Sequence, residues 1–250
     1  MARRYLFLLV LTAAIWGASY MFIKVALREI EPVPMMALRL VLAAAVLFPI
    51  VIVQRGGAET VREIRRGGLG LVLIGLINSA LPFTLIAWGE THVTSSVAAI
   101  ANAPVPIFVA LLAIKFRKSE TVTGLRLVGI VLGIIGGGIL TGLHPEGGWW
   151  AVAGTLAGVL ASLAYAFANR YAQGRFASTS PIVVVAGSSR ASLVTYLIPL
   201  FAVVYGVTIL NETLHANAIL GLAFILGGVA LGSGAVKFAR RREPVTAPSP

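Results

Sequence analysis

Residues 100–137, IANAPVPIFVALLAIKFRKSETVTGLRLVGIVLGIIGG, decide the fold because residues 193–228, LVTYLIPLFAVVYGVTILNETLHANAILGLAFILGG, repeat their pattern. A second, shorter pairing places residues 16–27 opposite residues 161–172. The matched positions, with one residue of slippage inside the longer pairing, are Pro106 with Pro199, Phe108 with Phe201, Glu120 with Glu212, Gly129 with Gly221, Tyr20 with Tyr165 and Phe22 with Phe167. Internal repeats of this kind indicate a duplicated structural unit.

The composition is that of a membrane protein. Of the 250 residues, 58% are hydrophobic and 12% are charged, and the mean hydropathy is +0.93. Apolar runs of about 20 residues are long enough to cross the hydrocarbon core of a bilayer as helices. We therefore predict an all-α integral membrane protein. The chain has no cysteine, which excludes disulfides and thiolate metal sites.

Hydropathy predicts eight transmembrane helices, at 5–27, 34–53, 69–88, 93–114, 124–142, 149–171, 181–210 and 216–236. Of the 20 Lys and Arg residues, all but Lys24, Arg28, Arg39 and Arg190 lie at one set of span ends. The positive-inside rule then places both termini in the cytoplasm of a multi-pass protein of the cell membrane. The net charge of +11 accordingly reports topology rather than nucleic-acid binding. The apolar run after the basic N-terminus is long enough to predict a retained span rather than a cleaved signal peptide.

The two copies differ in length. The first repeat, 5–142, holds five predicted spans, and an odd number of spans per repeat predicts two copies of opposite orientation. The second repeat, 149–236, holds three, because the positions matching Arg39 and Ser95 are almost adjacent there. About 54 residues are missing from this second copy, and the loss of two crossings preserves its direction. Residues 237–250 form a basic tail whose polar, proline-rich end is predicted to be disordered.

Polar side chains inside apolar spans are the candidate cavity residues, because hydrocarbon offers them no water and each needs a partner. The candidates are Trp16, Ser19, Tyr20, Arg39, Asn78, Asn102, Tyr165, Asn169, Thr195 and Tyr196. Local explanations stay open for some of them. A serine or threonine hydroxyl can bond to a carbonyl of its own helix, and Trp16 and Tyr165 can serve as core aromatics.

Prolines and glycines mark other candidate positions. Helix breaks of the type that transporters use at binding sites are predicted at Pro82, Pro104, Pro106 and Pro199, with a simple packing kink as the alternative. Close helix packing is predicted at Gly129, Gly133, Gly137, Gly154 and Gly158.

Charged residues near span ends have two interpretations. We expect Arg39 to extend its side chain toward the outer surface, the alternative being a contact with an anionic substrate group. Glu90 is expected to be solvated at the rim, the alternative being a carboxylate that couples transport to protons. His92, His144 and His215 lack a third ligand nearby, so we expect no metal, no cofactor and no catalytic centre.

The sequence resembles the EamA family of the drug/metabolite transporter superfamily. Three stretches carry the resemblance: AIWGASYMFIKVALREIEPVPMMALRLVLAA, APVPIFVALLAIKFRKSETVTGLRLVGIVLGIIGG and SSRASLVTYLIPLFAVVYGVTILNETLHANAILGLAFILGGVAL. It implies ten helices in two inverted repeats and export of small metabolites or toxic analogues through a central cavity. This chain departs from that pattern in having eight spans.

These features together predict a secondary transporter that exports a small metabolite, amino-acid-like compound or drug by alternating access. Its expected partners are the lipid bilayer and a small-molecule substrate, with a homodimer as an option. The alternative is a shortened, transport-incompetent membrane protein, or a subunit that needs a partner copy.

Overall fold

The computed structural model describes residues 2–116, 124–141, 148–175 and 192–232. Within these ranges all regular secondary structure is helical, joined by short turns. In chain order the helices are α1 Ala2–Ala26, α2 Pro32–Arg55, α3 Gly57–Gly75, a π-helical turn Leu76–Ala80, α4 Leu81–Glu90, α5 Ser95–Ala101, α6 Val105–Phe116, α7 Gly124–Thr141, α8 Gly148–Arg175, α9 Ser192–Ile209 and α10 Ala216–Gly232.

Eight apolar helical stretches lie at the eight predicted positions, which confirms an all-α membrane protein. Four are long and apolar enough to cross a bilayer: Phe7–Ala26, Pro32–Arg55, Gly57–Glu90 and Gly148–Arg175. Four are shorter: Ser95–Val109, Leu127–Leu140, Leu197–Ile209 and Ala216–Leu231. Parts of the predicted seventh and eighth spans, residues 181–191 and 233–236, lie outside the described residues, as does the predicted tail, 237–250.

The third and fourth spans are interrupted. The helical stretch Gly57–Glu90 begins well before its predicted start, and Gly68, with φ 46° and ψ −133°, kinks it. In the fourth span α5 ends at Ala101 and α6 begins at Val105. Pro104 lies in this gap and Pro106 in the first turn of α6, where the missing backbone N–H costs no helical hydrogen bond. Pro82 likewise lies in the first turn of α4, directly after the π-helical turn.

The prediction that Pro199 divides its helix is wrong, because α9 runs through Pro199 from Ser192 to Ile209. A proline removes a single intrahelical hydrogen bond, and packing holds α9 on either side of the lost bond. A Cβ built on Gly17 of α1 would lie 2.6 Å from Phe201 Cβ and 3.1 Å from the carbonyl oxygen of Ile198. This close contact supports α9 around the proline.

Glycines allow the main helix pairs to approach closely. In the α7–α10 pair, a Cβ on Gly228 would lie 2.5 Å from the Gly129 carbonyl oxygen and 2.6 Å from the Gly133 nitrogen. In the α4–α8 pair, a Cβ on Gly154 would lie 2.9 Å from the Gly89 carbonyl oxygen. Such contacts replace the hydrophobic effect as the force that joins helices in lipid.

Of two further glycines predicted to pack closely, Gly158 lies at a helix contact and Gly137 does not. A Cβ on Gly158 would lie 2.8 Å from Ala101 Cβ, so this glycine brings α8 against α5. The prediction is wrong for Gly137, where a Cβ would meet nothing within 4 Å. Its neighbour Gly136 lies at the interface instead, where an added Cβ would lie 2.8 Å from the Ile225 nitrogen. A shift of one residue turns a helical position by about 100°, and sequence spacing alone does not fix that phase.

We predict that Gly228→Ala lowers the free energy of unfolding by about 1–3 kcal/mol, because the added methyl group forces α7 and α10 apart. Gly137→Ala is the matched control, and it should leave stability unchanged or slightly higher since alanine favours helix. Thermal unfolding of both variants in the same detergent measures the difference. Equal unfolding midpoints of the two variants would contradict close packing of Gly228 against α7.

Candidate functional site

A tyrosine and an asparagine meet in the interior at the break in the fourth span. Asn102 follows the last residue of α5, and its Nδ2 donates a hydrogen bond of 2.9 Å to the hydroxyl of Tyr20 on α1. Tyr20 is buried. The amide oxygen of Asn102, Oδ1, is buried and has no partner among the described residues. The break therefore presents an unused hydrogen-bond acceptor next to a tyrosine hydroxyl.

Arg39 is half-buried and contacts an aromatic side chain. Its guanidinium carbon is 4.8 Å from the centroid of the Phe83 ring, a cation–π contact. Tyr165 meets the same Phe83 ring edge-on, with centroids 6.5 Å apart. Both tyrosines, Tyr20 and Tyr165, lie within electrostatic range of Arg39. We call these five residues the central cluster: Tyr20, Arg39, Phe83, Asn102 and Tyr165.

The remaining predicted cavity residues lie elsewhere. Trp16 is 45% exposed and Asn78 is exposed on the π-helical turn, so the described helices do not enclose either in a cavity. Ser19 donates a 3.4 Å hydrogen bond to the Ile15 carbonyl of its own helix, the local alternative noted for it. Asn169 is half-buried on α8, one turn from Tyr165. The side chains of Thr195 and Tyr196 lie outside the described part of the structure.

A pocket of about 270 Å³ opens one helical turn above the central cluster. We call it the Glu90 pocket; its lining residues are Lys24, Leu27, Arg28, Glu90, Thr91, Leu210 and Glu212. Lys24 follows Tyr20 by four residues, on the same face of α1. Its ammonium group donates to the carbonyl oxygens of Glu90, at 2.5 Å, and Val93, at 2.8 Å. Lysine thus ties α1 to the turn after α4.

Glu90 is fully buried, and the expectation of a rim-solvated carboxylate is wrong. The end of α4 lies between other helices: a Cβ on Gly89 would lie 2.7 Å from the Gly154 carbonyl oxygen of α8, and Lys24 of α1 donates to the Glu90 carbonyl oxygen. Both Glu90 carboxylate oxygens are buried with no hydrogen-bond partner among the described residues. The charged groups that act on it are Lys24, Glu212 and Arg39.

Glu212, in contrast, is fully bonded. Its Oε1 accepts a 2.7 Å hydrogen bond from the Ser95 N–H, and its Oε2 accepts from the Ser96 N–H at 3.1 Å and the Ser96 hydroxyl at 2.6 Å. A carboxylate at a helix N-terminus satisfies the free amides and complements the helix dipole. The turn after α9 thus anchors the start of α5.

Local backbone features place Glu212 there. Asn211 has φ 54°, a left-handed conformation that asparagine tolerates, and it reverses the chain after α9. The Glu212 N–H then donates to the Gly206 carbonyl at 3.0 Å. A side chain on Gly206 would collide with the Glu212 carboxylate and the Ser96 hydroxyl. The sequence indicated Glu212 only as the repeat counterpart of Glu120, so this contact was not predicted.

The pocket contains both signs of charge, and of its two carboxylates only that of Glu90 lacks a partner among the described residues. Lys24 is bonded to two carbonyl groups and Glu212 to α5, whereas the buried Glu90 carboxylate has no partner among the described residues. An ionised carboxylate buried without a partner is costly. Glu90 therefore needs either a proton or a cationic group of a ligand.

Comparison with known proteins identifies a common class. The model of the EamA-like transporter family matches residues 3–142 and 181–234. The uncharacterized inner membrane transporter YedA of Escherichia coli K12 is 28% identical over 70% of this chain and 54% of its own length. An uncharacterized transporter of Archaeoglobus fulgidus is 28% identical over 51% of this chain and 44% of its own. The S-adenosylmethionine/S-adenosylhomocysteine transporter of Chlamydia trachomatis is 31% identical over 52% of this chain and 38% of its own.

The chain spans about half the length of the curated relatives it matches. A solved crystal structure has the same fold, with a TM-score of 0.58 at 15% identity, covering 91% of this chain and 97% of that one. The curated relatives described above are named transporters, which form a non-enzymatic class.

We predict that Glu212→Gln destabilises the protein, because an amide group replaces one charged acceptor opposite the amides of Ser95 and Ser96. Hydrogen bonds to charged groups contribute about 1.5–3 kcal/mol each, so thermal unfolding should show a clear loss. Gly206→Ala should act in the same direction by displacing the carboxylate. Glu29→Gln is the control, since Glu29 is exposed at the same end of the bundle. A control that loses as much stability as Glu212→Gln would contradict the contact.

Proposed function

The chain belongs to the EamA-like transporter family, whose model covers residues 3–142 and 181–234, and from this premise we propose that it exports a small amino-acid-like metabolite by alternating access. Membership in the family confirms the resemblance seen in the sequence. Family membership alone supports a multi-pass membrane transporter that acts on small molecules. The substrate, the direction and the coupling are our proposal.

The Glu90 carboxylate is the observation that carries the proposal. It is buried, lacks a partner among the described residues and lines a pocket that also holds Lys24 and Arg28. A metabolite with an ammonium group supplies the cation that Glu90 needs, and its carboxylate meets the arginine or lysine. The Chlamydia relative is named for S-adenosylmethionine, which has both groups. This supports an amino-acid-type substrate for the present chain.

Exchange with protons follows from the same requirement. When the pocket is empty, a proton neutralises Glu90; when the substrate enters, its ammonium group takes the place of the proton. The two occupants compete for one carboxylate, so movement of one in one direction is coupled to movement of the other in the opposite direction. Tyr20 lies one helical turn from Lys24 on α1, and Asn102, whose Oδ1 has no partner among the described residues, donates to its hydroxyl.

The contacts between helices support the inverted repeat that alternating access uses. Helices α7 and α10 are the last helices of the two matched copies, and they pack against each other. The contact of α1 with α9 has its counterpart in the contacts of α8 with α5 and α6, as a twofold relation between repeats requires. We propose that the α1–α9 unit rocks against the α8–α5–α6 unit around the central cluster, with both termini in the cytoplasm.

We predict that proteoliposomes containing the protein take up radiolabelled S-adenosylmethionine or a zwitterionic amino acid when an opposing pH gradient is imposed. Glu90→Gln should reduce coupled uptake at least tenfold and abolish its dependence on the gradient, because glutamine exchanges no proton. Glu29→Gln, at an exposed position on the same side, should transport like the unmodified chain.

Two results would contradict the proposal. If the unmodified chain shows no uptake that depends on the substrate or on the pH gradient, the transport-incompetent alternative is correct. Full gradient-dependent uptake by Glu90→Gln would leave a transporter but remove Glu90 from its coupling. Inside-out and right-side-out vesicles distinguish export from import.

A further inference from the structure

A basic helical segment lies at the end of the bundle opposite the Glu90 pocket. Helix α2 ends at Arg55, and residues 57–67 form the first part of α3 before the kink at Gly68. The helical stretch Gly57–Glu90 has 34 residues, about 51 Å at 1.5 Å per residue. The hydrocarbon core is about 30 Å thick. The polar first part of α3 therefore lies outside the core, at the membrane surface where α2 and α3 emerge.

Three arginines share one face of this segment. Arg62, Arg65 and Arg66 are three and four residues apart, which places them within an arc of about 100° on the helix. All three are exposed, and with Ala58 and Val61 they line a concavity of about 440 Å³. Apolar side chains border the basic face: Val61 is 47% exposed and Ile64 46% exposed.

The charges on this face are only partly compensated. Arg55 pairs with Glu63 at 2.8 Å, and Arg62 pairs with Glu59 at 2.7 Å. Neither Arg65 nor Arg66 has a carboxylate partner in the part of the chain that the structure describes. Like charges at this spacing repel each other. An anion held between the guanidinium groups removes that repulsion, and arginine binds phosphate through paired N–H donors.

We propose that the concavity formed by Ala58, Val61, Arg62, Arg65 and Arg66 binds the phosphate headgroup of an anionic phospholipid. Its position at the membrane surface selects a lipid over a free anion. The guanidinium groups bind the headgroup phosphate, while Val61 and Ile64 lie against the upper part of the acyl chains, the arrangement of an interfacial amphipathic helix. The kink at Gly68, with its positive φ, lets the segment lie along the surface while the rest of α3 enters the bilayer.

Native mass spectrometry of the full chain in detergent tests this site with phosphatidylglycerol and phosphatidylcholine of identical acyl chains. We expect phosphatidylglycerol to remain bound at least fivefold more than phosphatidylcholine. Arg65→Gln and Arg66→Gln should each weaken its retention at least threefold. Arg28→Gln, a charge removal at the opposite end of the bundle, should have no effect. Glu59→Gln releases Arg62 from its ion pair and should strengthen retention.

Three results would overturn the proposal: equal retention of both lipids, equal loss in Arg28→Gln and Arg66→Gln, or displacement of the lipid by millimolar inorganic phosphate. Since the chain has no cysteine, a single Ala58→Cys label gives a second test that leaves every arginine in place. Energy transfer from this label to headgroup-labelled phosphatidylglycerol should exceed transfer to headgroup-labelled phosphatidylcholine. Equal transfer would also overturn the proposal, and neither readout depends on transport.

Discussion

Hydrocarbon offers no hydrogen bonds, so each polar group that enters the bundle needs a partner within the protein. The partners that connect different helices are far apart in sequence. Asn102 donates to Tyr20, Lys24 donates to the carbonyls of Glu90 and Val93, and Glu212 accepts from Ser95 and Ser96. These contacts connect α1, the turn after α4, the break after α5 and the turn after α9. Glu90 departs from this pattern, and the proposed mechanism rests on that departure.

Small residues make these polar contacts possible because they set how closely the helices approach. Gly89 and Gly154 bring α4 and α8 into backbone contact next to the buried Glu90. Gly206 leaves space for the Glu212 carboxylate. The same feature that joins the helices thus also creates the chemistry of the pocket. A larger residue at any of these positions would alter packing and electrostatics together.

The sequence was sufficient to predict the spans and the break at Pro104, because hydropathy and the missing proline N–H act locally. It also gave Tyr20, Arg39, Asn102 and Tyr165 among the candidate cavity residues; in the structure Arg39 and Tyr165 contact Phe83, and Asn102 donates to Tyr20. The burial of Glu90 and the bonds of Glu212 were not predictable, because they depend on contacts between distant helices. The choice between Gly136 and Gly137 depended on helix phase, which hydrophobic spacing leaves open.

The central claim is that Glu90 exchanges a proton for a cationic substrate group in a site without other partners. Infrared difference spectroscopy of the protein in bilayers measures this directly, through the carbonyl stretch of a protonated carboxyl group. The account predicts a carboxyl band that disappears when substrate is added, is absent in Glu90→Gln and persists in Glu212→Gln. A band that survives in Glu90→Gln, or one that substrate leaves unchanged, would contradict it.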